Sequence, residues 1–270
     1  MSLSWRDALR VKLAPHGLRI ARHRRGWRSP AAETFDVAVA ATTDGGAPWA
    51  AAADALEQTL LAPRLRGADL HVTLDGAFAR WLLLPWSAAL ATDAERLAYA
   101  QLEFESVHGE RARGWRIRLG DARPGEPSPA CAIDDALHDR LAAIATAAGG
   151  RLAAVQPAFG AALDRHRRVL TAPSAAFALV ERGRCTIAAF ERGRWRHLES
   201  VRIAGRVSDA IAAPLARLDA LGVCPESPRR LHVVFDASPE ALPAHVGGWD
   251  VVSADDAAPA HRARVAWGRS

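Results

Sequence analysis

Lysine is almost missing from this sequence, and its scarcity excludes several enzyme classes. Lys12 is the only lysine among the 35 basic residues, and it stands between Val11 and Leu13. A P-loop needs lysine within G-K-[ST] to reach the β- and γ-phosphates, and a protein kinase needs a strand lysine and an H-R-D loop. Neither motif occurs, and G-x-S-x-G and H-E-x-x-H are missing as well. The sequence therefore excludes P-loop NTPases, protein kinases, and the hydrolases that use either of the last two motifs.

Cysteine and long apolar segments are also scarce. Cys131, Cys185 and Cys224 lie far apart and form no C-x-x-C pair, which argues against a disulfide framework or a zinc ribbon. No apolar run approaches the ~20 residues that span a bilayer. The N-terminal segment lacks the continuous apolar region of a signal peptide. We therefore expect a cytoplasmic protein without a membrane span, with attachment to the inner-membrane surface left open.

Positive charge is abundant, and its distribution limits what it implies. The net charge is +5 over 270 residues, yet acids interrupt the arginines, as in ERGR at 181–184 and 191–194. Such interleaving favours solubility over a continuous phosphate-binding stripe. The exception is Arg22, Arg24, Arg25 and Arg28 around Trp27, where arginines could neutralise phosphates beside a stacking indole. A solvated hairpin turn explains the same residues, so nucleic-acid binding remains an alternative function.

Hydrophobic periodicity predicts an α/β protein whose two halves share an order of successive strands, a helix and a further strand. The predicted elements of the first half are an opening helix at 4–13, strands at 17–22 and 35–41, a helix at 49–61 and a strand at 68–74. Those of the second half are strands at 176–181, 185–191 and 195–203, a helix at 207–221 and a strand at 231–235. We predict a first lobe over 1–170 and a shortened second lobe over 171–270, separated at the linker 171–174.

Residues 76–134 are predicted to form an insertion in the first lobe. Asp75-Gly76 is a hairpin-type turn signal before a strand at 78–84. Thr92 is then expected to cap a helix at 93–108, with Leu97 on its apolar face. Strands at 115–119 and 130–133 follow, and Asp134 caps the next helix. The tail 237–270 is weakly patterned, and the sequence assigns it no role.

Two stretches of the chain resemble a known family. They are LHVTLDGAFARWLLLPW at 70–86 with the acidic helix ATDAERLAYAQLEFESVHG at 91–109, and the glycine-turned meander FALVERGRCTIAAFERGRWRHLESVRI at 177–203. Together with the repeated order of elements, they resemble the pilus and secretion branch of the actin-like ATPases. That branch contains the type IV pilus protein PilM, its mannose-sensitive pilus counterpart and the cytoplasmic part of GspL. The resemblance implies a two-lobed actin-like (ribonuclease H-like) fold with a small α+β insertion.

The resemblance also indicates a nucleotide site that has degenerated. Active members hold ATP and Mg²⁺ between two D-x-G turns, whereas the first strand here reads GLRIARHRRG and the second lobe has Glu181-Arg182-Gly183. Gly247-Gly248 is the candidate for the late glycine pair of an adenosine pocket. We therefore expect no catalysis and no bound cofactor. A nucleotide-binding ATPase switch that uses ATP and Mg²⁺ is the runner-up.

By resemblance, the expected role is a scaffold that docks an inner-membrane assembly protein or its cytoplasmic tail; homodimerisation is left open. The candidate partner-binding residues are Arg80, Trp81 and Trp86. The strand between the two tryptophans is apolar on both faces, which indicates either a core position or an edge covered by a partner.

A metal site at Asp134, Asp135, His138 and Asp139 is not predicted. Asp135 and Asp139 share a helix face at i, i+4 spacing, but acids in a first helical turn are explained by capping and the helix dipole.

Overall fold

The structure is a computed structural model that describes residues 7–24, 32–40, 46–236 and 239–253. Its strands are β1 Ala8–Ala14, β2 Gly17–His23, β3 Glu33–Ala38, β4 Asp69–Leu74, β5 Ala79–Leu84, β6 Trp115–Leu119, β7 Ser128–Asp134, β8 Arg151–Pro157, β9 Ser174–Glu181, β10 Arg184–Glu191, β11 Arg194–Arg202, β12 Arg229–Phe235, β13 His245–Val246 and β14 Trp249–Ser253. Its helices are α1 Ala50–Leu60, α2 Asp93–His108, α3 Asp135–Ala147, α4 Ala158–Arg165 and α5 Val207–Ala220.

The chain divides into two compact units. The first contains the described residues up to Ala79 together with Ile133–Ala158, and the second contains Arg80–Ala132 together with the described residues from Phe159 onwards. The segment 80–132 is thus grouped with the second half of the chain, whereas the sequence assigns it to the first lobe. The predicted lobe boundary between residues 170 and 171 stays a prediction.

The first unit is built on a five-stranded sheet of order β3-β2-β1-β4-β8. Strands β1, β2 and β3 form an antiparallel meander, and β4 and β8 run parallel to β1. Helices α1 and α3 contribute buried apolar side chains to the same core as the central strands. Arg140 of α3 also binds Asp54 and Glu57 of α1, at 3.1 and 2.7 Å, which ties the two helices together.

The opening segment is a strand, so the predicted helix at 4–13 is wrong over its described part. Leu9, Val11 and Leu13 are buried, while Arg10 between them is exposed. This period of two is that of a half-buried strand. The helix prediction depended on the spacing of Leu9 from Trp5, which lies outside the described residues. As a consequence, the first hairpin of the chain turns at Pro15-His16.

The second unit contains a six-stranded sheet of order β11-β10-β9-β12-β14-β13. Every residue of β9 is buried, which explains why this strand reads as a continuous apolar run. Helix α5 packs on one face through Ile211, Leu215 and Leu218, against a core that includes Trp249 of β14.

The two larger sheets share the same topology of their first four strands and one equivalent hydrogen bond. In each, a three-strand antiparallel meander is followed by a helix and by a strand parallel to the first. The residue after that strand donates its backbone N–H to the penultimate residue of the first strand: Asp75 to Leu13 and Asp236 to Val180, each at 2.9 Å. The sheets differ afterwards, because α3 precedes β8, whereas the described residues 239–248 before β14 contain only β13. This supports a shortened second repeat.

A three-stranded sheet of order β5-β7-β6 and helix α2 form a separate layer. The predicted cap of α2 is confirmed as a capping box: Glu95 N–H donates to Thr92 Oγ1 at 3.2 Å, and Thr92 N–H donates to Glu95 Oε2 at 2.9 Å. Ala100 and Phe104 supply the buried face of the helix.

The predicted hairpin at Asp75-Gly76 is wrong, because β4 and β5 belong to different sheets. The turn is instead a local one, in which Asp75 accepts hydrogen bonds from Ala77 N–H at its side chain (2.8 Å) and from Phe78 N–H at its carbonyl (2.9 Å). Aspartate supports such turns whether or not the flanking strands pair.

Gly150 provides a test of the close approach between β8 and β4. A Cβ there would overlap the carbonyl oxygen of Ala68, which is backbone and cannot move aside, whereas a Cβ at Gly114 meets open space. We expect Gly150→Ala to lower the free energy of unfolding by about 1–3 kcal/mol and Gly114→Ala to leave it nearly unchanged. Urea denaturation measures both, and equal effects would contradict the described register.

Candidate functional site

Two equivalent hairpin turns follow the first strands of the two larger sheets, where the resemblance leads us to expect the D-x-G turns of an active family member. The β1–β2 loop is Pro15-His16, closed by the pair Ala14 and Gly17. The β9–β10 loop is Arg182-Gly183, closed by the pair Glu181 and Arg184. The turn to compare with the first D-x-G turn is therefore APHG at 14–17. The segment GLRIARHRRG, with which the sequence comparison above was made, begins where this turn ends.

The two loops contain few groups that bind phosphate or Mg²⁺. The β1–β2 loop contains no carboxylate, and Pro15 has no N–H to donate. In the β9–β10 loop the acid is Glu181, which is only 2% exposed and forms the last residue of its strand. The loop itself presents the exposed side chain of Arg182, followed by Gly183 at φ +75°.

Two aspartates lie one strand away from these turns. Asp75 follows β4 and Asp236 follows β12, at corresponding positions of the two repeats. Asp75 is 3% exposed, and its Oδ1 already accepts a hydrogen bond from Ala77 N–H. Asp236 is exposed.

Gly247-Gly248 forms the two-residue turn between β13 and β14, with φ of +55° and +75°. Positive φ at both central residues is typical of a type I′ hairpin turn, which explains the glycine pair without a ligand. A Cβ at Gly247 would also contact Leu215 of α5 at 3.5 Å.

The partner-binding candidates Trp81 and Trp86 occupy different environments. Trp81 packs edge-on against Phe159, with ring centroids 5.4 Å apart, and Phe159 in turn contacts Phe177. Its indole Nε1 is buried without a hydrogen-bond partner. Trp86 lies two residues beyond β5 and is 48% exposed. Trp81 is therefore partly buried against Phe159, and Trp86 presents an apolar surface to solvent.

Trp86 contributes to an open groove of about 890 Å³ on the layer formed by α2 and the three-stranded sheet. Its apolar lining includes Leu97 and Ile117, and Leu97 is 44% exposed. Arg96 stabilises the wall by donating to Asp93 (3.0 Å), to the carbonyl of Gly120 (3.2 Å) and to Ser128 Oγ (3.3 Å). The groove thus combines exposed apolar side chains with a fixed rim, as protein-binding sites do.

Sequence reasoning missed the groove because Leu97 has the spacing of a core residue. It lies three and seven positions before Ala100 and Phe104, both of which are buried. The exposure of Leu97 depends on the loops 85–92 and 120–127. The sequence pattern does not predict the conformation of these loops. One sequence signal could have indicated the groove. It is the apolar Leu97 one turn inside α2, after a loop that contains Pro85 and Trp86.

The other candidates have structural explanations in the described residues. Arg22 binds Asp7 at 2.7 Å and Arg24 binds Glu33 at 3.1 Å. Arg25, Trp27 and Arg28 lie outside the described residues.

The acidic segment at α3 is likewise used locally. Asp134 caps α3 by accepting from Ala136 N–H at 2.9 Å, and it also accepts from Trp49 Nε1 at 2.9 Å. The part of the chain that the structure describes contains no cluster of three metal-ligating side chains. Within that same part, no helix is long and apolar enough to cross a membrane.

Comparison with solved structures identifies the fold. A Bacteroides thetaiotaomicron protein of unknown function with an actin-like ATPase fold superposes with a TM-score of 0.59 at 14% identity, covering 87% of this chain and 84% of that one. The cytoplasmic domain of EpsL, an inner-membrane component of the Vibrio cholerae type II secretion system, gives 0.54 at 10% identity over 91% and 89%. The PilM–PilN type IV pilus biogenesis complex gives 0.52 at 14% identity over 86% and 82%.

The chain has the actin-like ATPase fold. The predicted fold class is thereby confirmed, and two of these similar structures come from the pilus and secretion branch that the sequence resembles. No protein-family model matches the sequence, and no curated protein does.

Trp81 and Trp86 are distinguished by substitution. Because Trp81 is partly buried and packs against Phe159, we expect Trp81→Ala to lower the free energy of unfolding by about 1–3 kcal/mol. Trp86→Ala removes a half-exposed ring and should change it by no more than about 0.5 kcal/mol. Chemical denaturation of the two variants provides the comparison. A Trp81→Ala protein as stable as the unsubstituted one would contradict a packing role for Trp81 and make it a surface residue.

Proposed function

We propose that this protein is a non-catalytic docking scaffold, which binds an inner-membrane component of a type IV pilus or type II secretion-like assembly. The observation that carries the proposal is the combination of an actin-like fold with hairpin turns whose loop residues include no carboxylate that could hold Mg²⁺. On this proposal the protein retains the fold for its surfaces.

The similar structures support the kind of assembly. One is the cytoplasmic domain of an inner-membrane secretion component, and another is a protein bound to its partner in pilus biogenesis. At 10% and 14% identity they establish only the shared fold. The role at the cytoplasmic face of the inner membrane is therefore our proposal for this chain.

The groove beside Trp86 is the surface we assign to docking. Trp86 and Leu97 offer two exposed apolar side chains that line the same groove, and aromatic anchors in clefts dominate many interface energies. The likeness to a pilus complex suggests the occupant, namely the cytoplasmic tail of a membrane protein.

A nucleotide-binding switch is the second candidate. Asp75 and Asp236 favour it, because each follows the strand next to a hairpin turn, in corresponding positions. Against it, Asp75 is buried in its own turn, and the β1–β2 loop has proline where an amide donor is needed. Nucleic-acid binding at Arg22 and Arg24 is disfavoured, since both arginines already pair with acids.

Binding to immobilised tails tests the docking proposal. Peptides covering the cytoplasmic tails of the pilus and secretion membrane proteins of the same organism are presented to the purified protein in biolayer interferometry. We expect one tail to bind saturably. Trp86→Ala should weaken that binding about 10-fold or more, as for a buried aromatic anchor.

Helix α2 supplies a matched control. Leu97 lines the groove, whereas Leu102 on the same helix is 65% exposed and does not. Leu97→Ala should weaken tail binding, and Leu102→Ala should leave it unchanged. Equal effects of the two substitutions would remove the groove from the proposal, and the absence of any binding tail would overturn the docking function.

A further inference from the structure

Strand β6 borders the groove with one of its edges. It is an outer strand of the three-stranded sheet and has β7 as its neighbour. Four consecutive residues at its end, 117–120, line the groove. Because successive side chains of a strand point to opposite faces of the sheet, a groove that contacts four residues in a row runs along the edge of the strand. We call this side of β6, which faces away from β7, the open edge.

The pairing of β6 with β7 determines which backbone groups point to the open edge. The connection 120–127 between the two strands is too short for a parallel crossover, so the strands run antiparallel. Gly120 N–H donates to the carbonyl of Pro129 at 2.7 Å. A Cβ at Gly120 would also meet the side chain of Pro129. The two residues therefore lie opposite each other as a hydrogen-bonded pair.

The backbone groups of Ile117 and Leu119 point to the open edge. In an antiparallel ladder, residues that bond to the neighbouring strand alternate with residues whose N–H and C=O point away from it. Gly120 bonds to β7, so Arg118 does as well, and the residues between and before them point outwards. The side chains of Ile117 and Leu119 belong to the same core cluster as the two alanines of β7, which this register places opposite them. Among the described residues, neither forms a backbone hydrogen bond outside the sheet.

The end of β6 is held in place by side chains from other elements. Arg96 of α2 donates to the carbonyl of Gly120 at 3.2 Å and to Ser128 Oγ at 3.3 Å. Arg194 at the start of β11 binds Glu126 of the loop after β6, at 3.3 Å. An edge that is ordered in advance loses little conformational entropy when a ligand binds along it.

These features indicate an extended ligand. An outer strand with outward N–H and C=O groups accepts a further strand through main-chain hydrogen bonds. The side chains along the edge add a preference with a period of two, because Ile117 and Leu119 lie on the apolar face and Arg118 on the other face is exposed. A neighbouring strand fits best with apolar residues on the first face and acidic residues on the second.

We infer that the docking partner binds as an added β-strand along the open edge of β6. This inference rests on the docking function proposed above and specifies how the groove is filled. The partner segment is extended and alternates apolar with acidic residues. Its apolar side chains lie on the α2 side of the sheet, where Leu97 lines the groove. A helical segment does not fit, because its backbone groups are already bonded within the helix.

A labelled peptide of alternating valine and glutamate tests the inference by fluorescence anisotropy. We expect it to bind saturably. In an added strand every second N–H points to β6, and the others point away. A peptide N-methylated at every valine and one N-methylated at every glutamate have the same charge, yet their affinities should differ by about 10-fold or more, because only one of them loses the hydrogen bonds to β6. Equal affinities, or no binding of the unmodified peptide, would overturn the inference.

Two substitutions at Leu119 locate the binding. Leu119→Ala and Leu119→Pro both remove the leucine side chain, but only proline also removes the outward N–H. Proline is tolerated in an outer strand where the N–H faces away from the sheet. We expect Leu119→Pro to bind the alternating peptide about 5-fold more weakly than Leu119→Ala does. Circular dichroism checks that both variants are folded, and equal affinities of the two folded variants would overturn the inference.

Amide hydrogen exchange of the unsubstituted protein gives a measurement that does not depend on the folding of a variant. The N–H groups of Ile117 and Leu119 should exchange about 10-fold or more slowly once the alternating peptide is saturating. The N–H of Arg118, which bonds to β7, should change little. No slowing at Ile117 and Leu119 would overturn the inference. Protection that instead appears in the free protein as its concentration rises would assign the edge to a second copy of the chain, and would overturn it too.

The inference and the proposed function fail separately. Tail binding that requires Trp86 and Leu97, but is equal in Leu119→Ala and Leu119→Pro, would remove only the added strand. Binding of the alternating peptide along β6, with no pilus or secretion tail bound at all, would support the open edge and overturn the proposed assembly.

Discussion

The parallel pairing of the first strand with the fourth in each sheet is the constraint on which the rest of the structure depends. β1 pairs with β4 and β9 with β12, and in both cases the residue after the second strand donates its N–H to the penultimate residue of the first. A parallel pair needs a long crossover, supplied here by the meander strands and by α1 or α5. It also brings a hairpin turn and a strand end to the same edge of the sheet.

The resemblance places the nucleotide site of the actin-like ATPases at that edge, and the two-residue loops there contain no carboxylate. Proline and histidine form one turn, and arginine and glycine form the other, while Glu181 is buried in its strand. The surface that we assign to docking lies elsewhere, in the groove beside Trp86. A fold that retains its framework while function moves to new surfaces is common, because function resides in sites and not in the fold.

Local chemistry predicted much of the fold. Thr92 located the start of α2, and the short apolar stretch at 176–181 located β9, each from a few residues. β1 was missed because the helix-like spacing of Leu9 from Trp5 masked its alternation. The groove was beyond prediction for a different reason: Trp86 lies in a loop and Leu97 on α2, and the fold of the loops brings both to the lining of one groove. Such contacts depend on how sheets and loops are arranged, which no single stretch encodes.

The central claim is that the actin-like fold serves here for docking without nucleotide. Thermal unfolding of the purified protein with Mg-ATP, with Mg-ADP and with Mg²⁺ alone tests it most directly, because a ligand that binds only the native state must raise the Tm by mass action. We predict that neither nucleotide, at millimolar concentration, shifts the Tm beyond the effect of Mg²⁺ alone. A clear additional rise with either nucleotide would contradict the claim and make a nucleotide-regulated switch the better account.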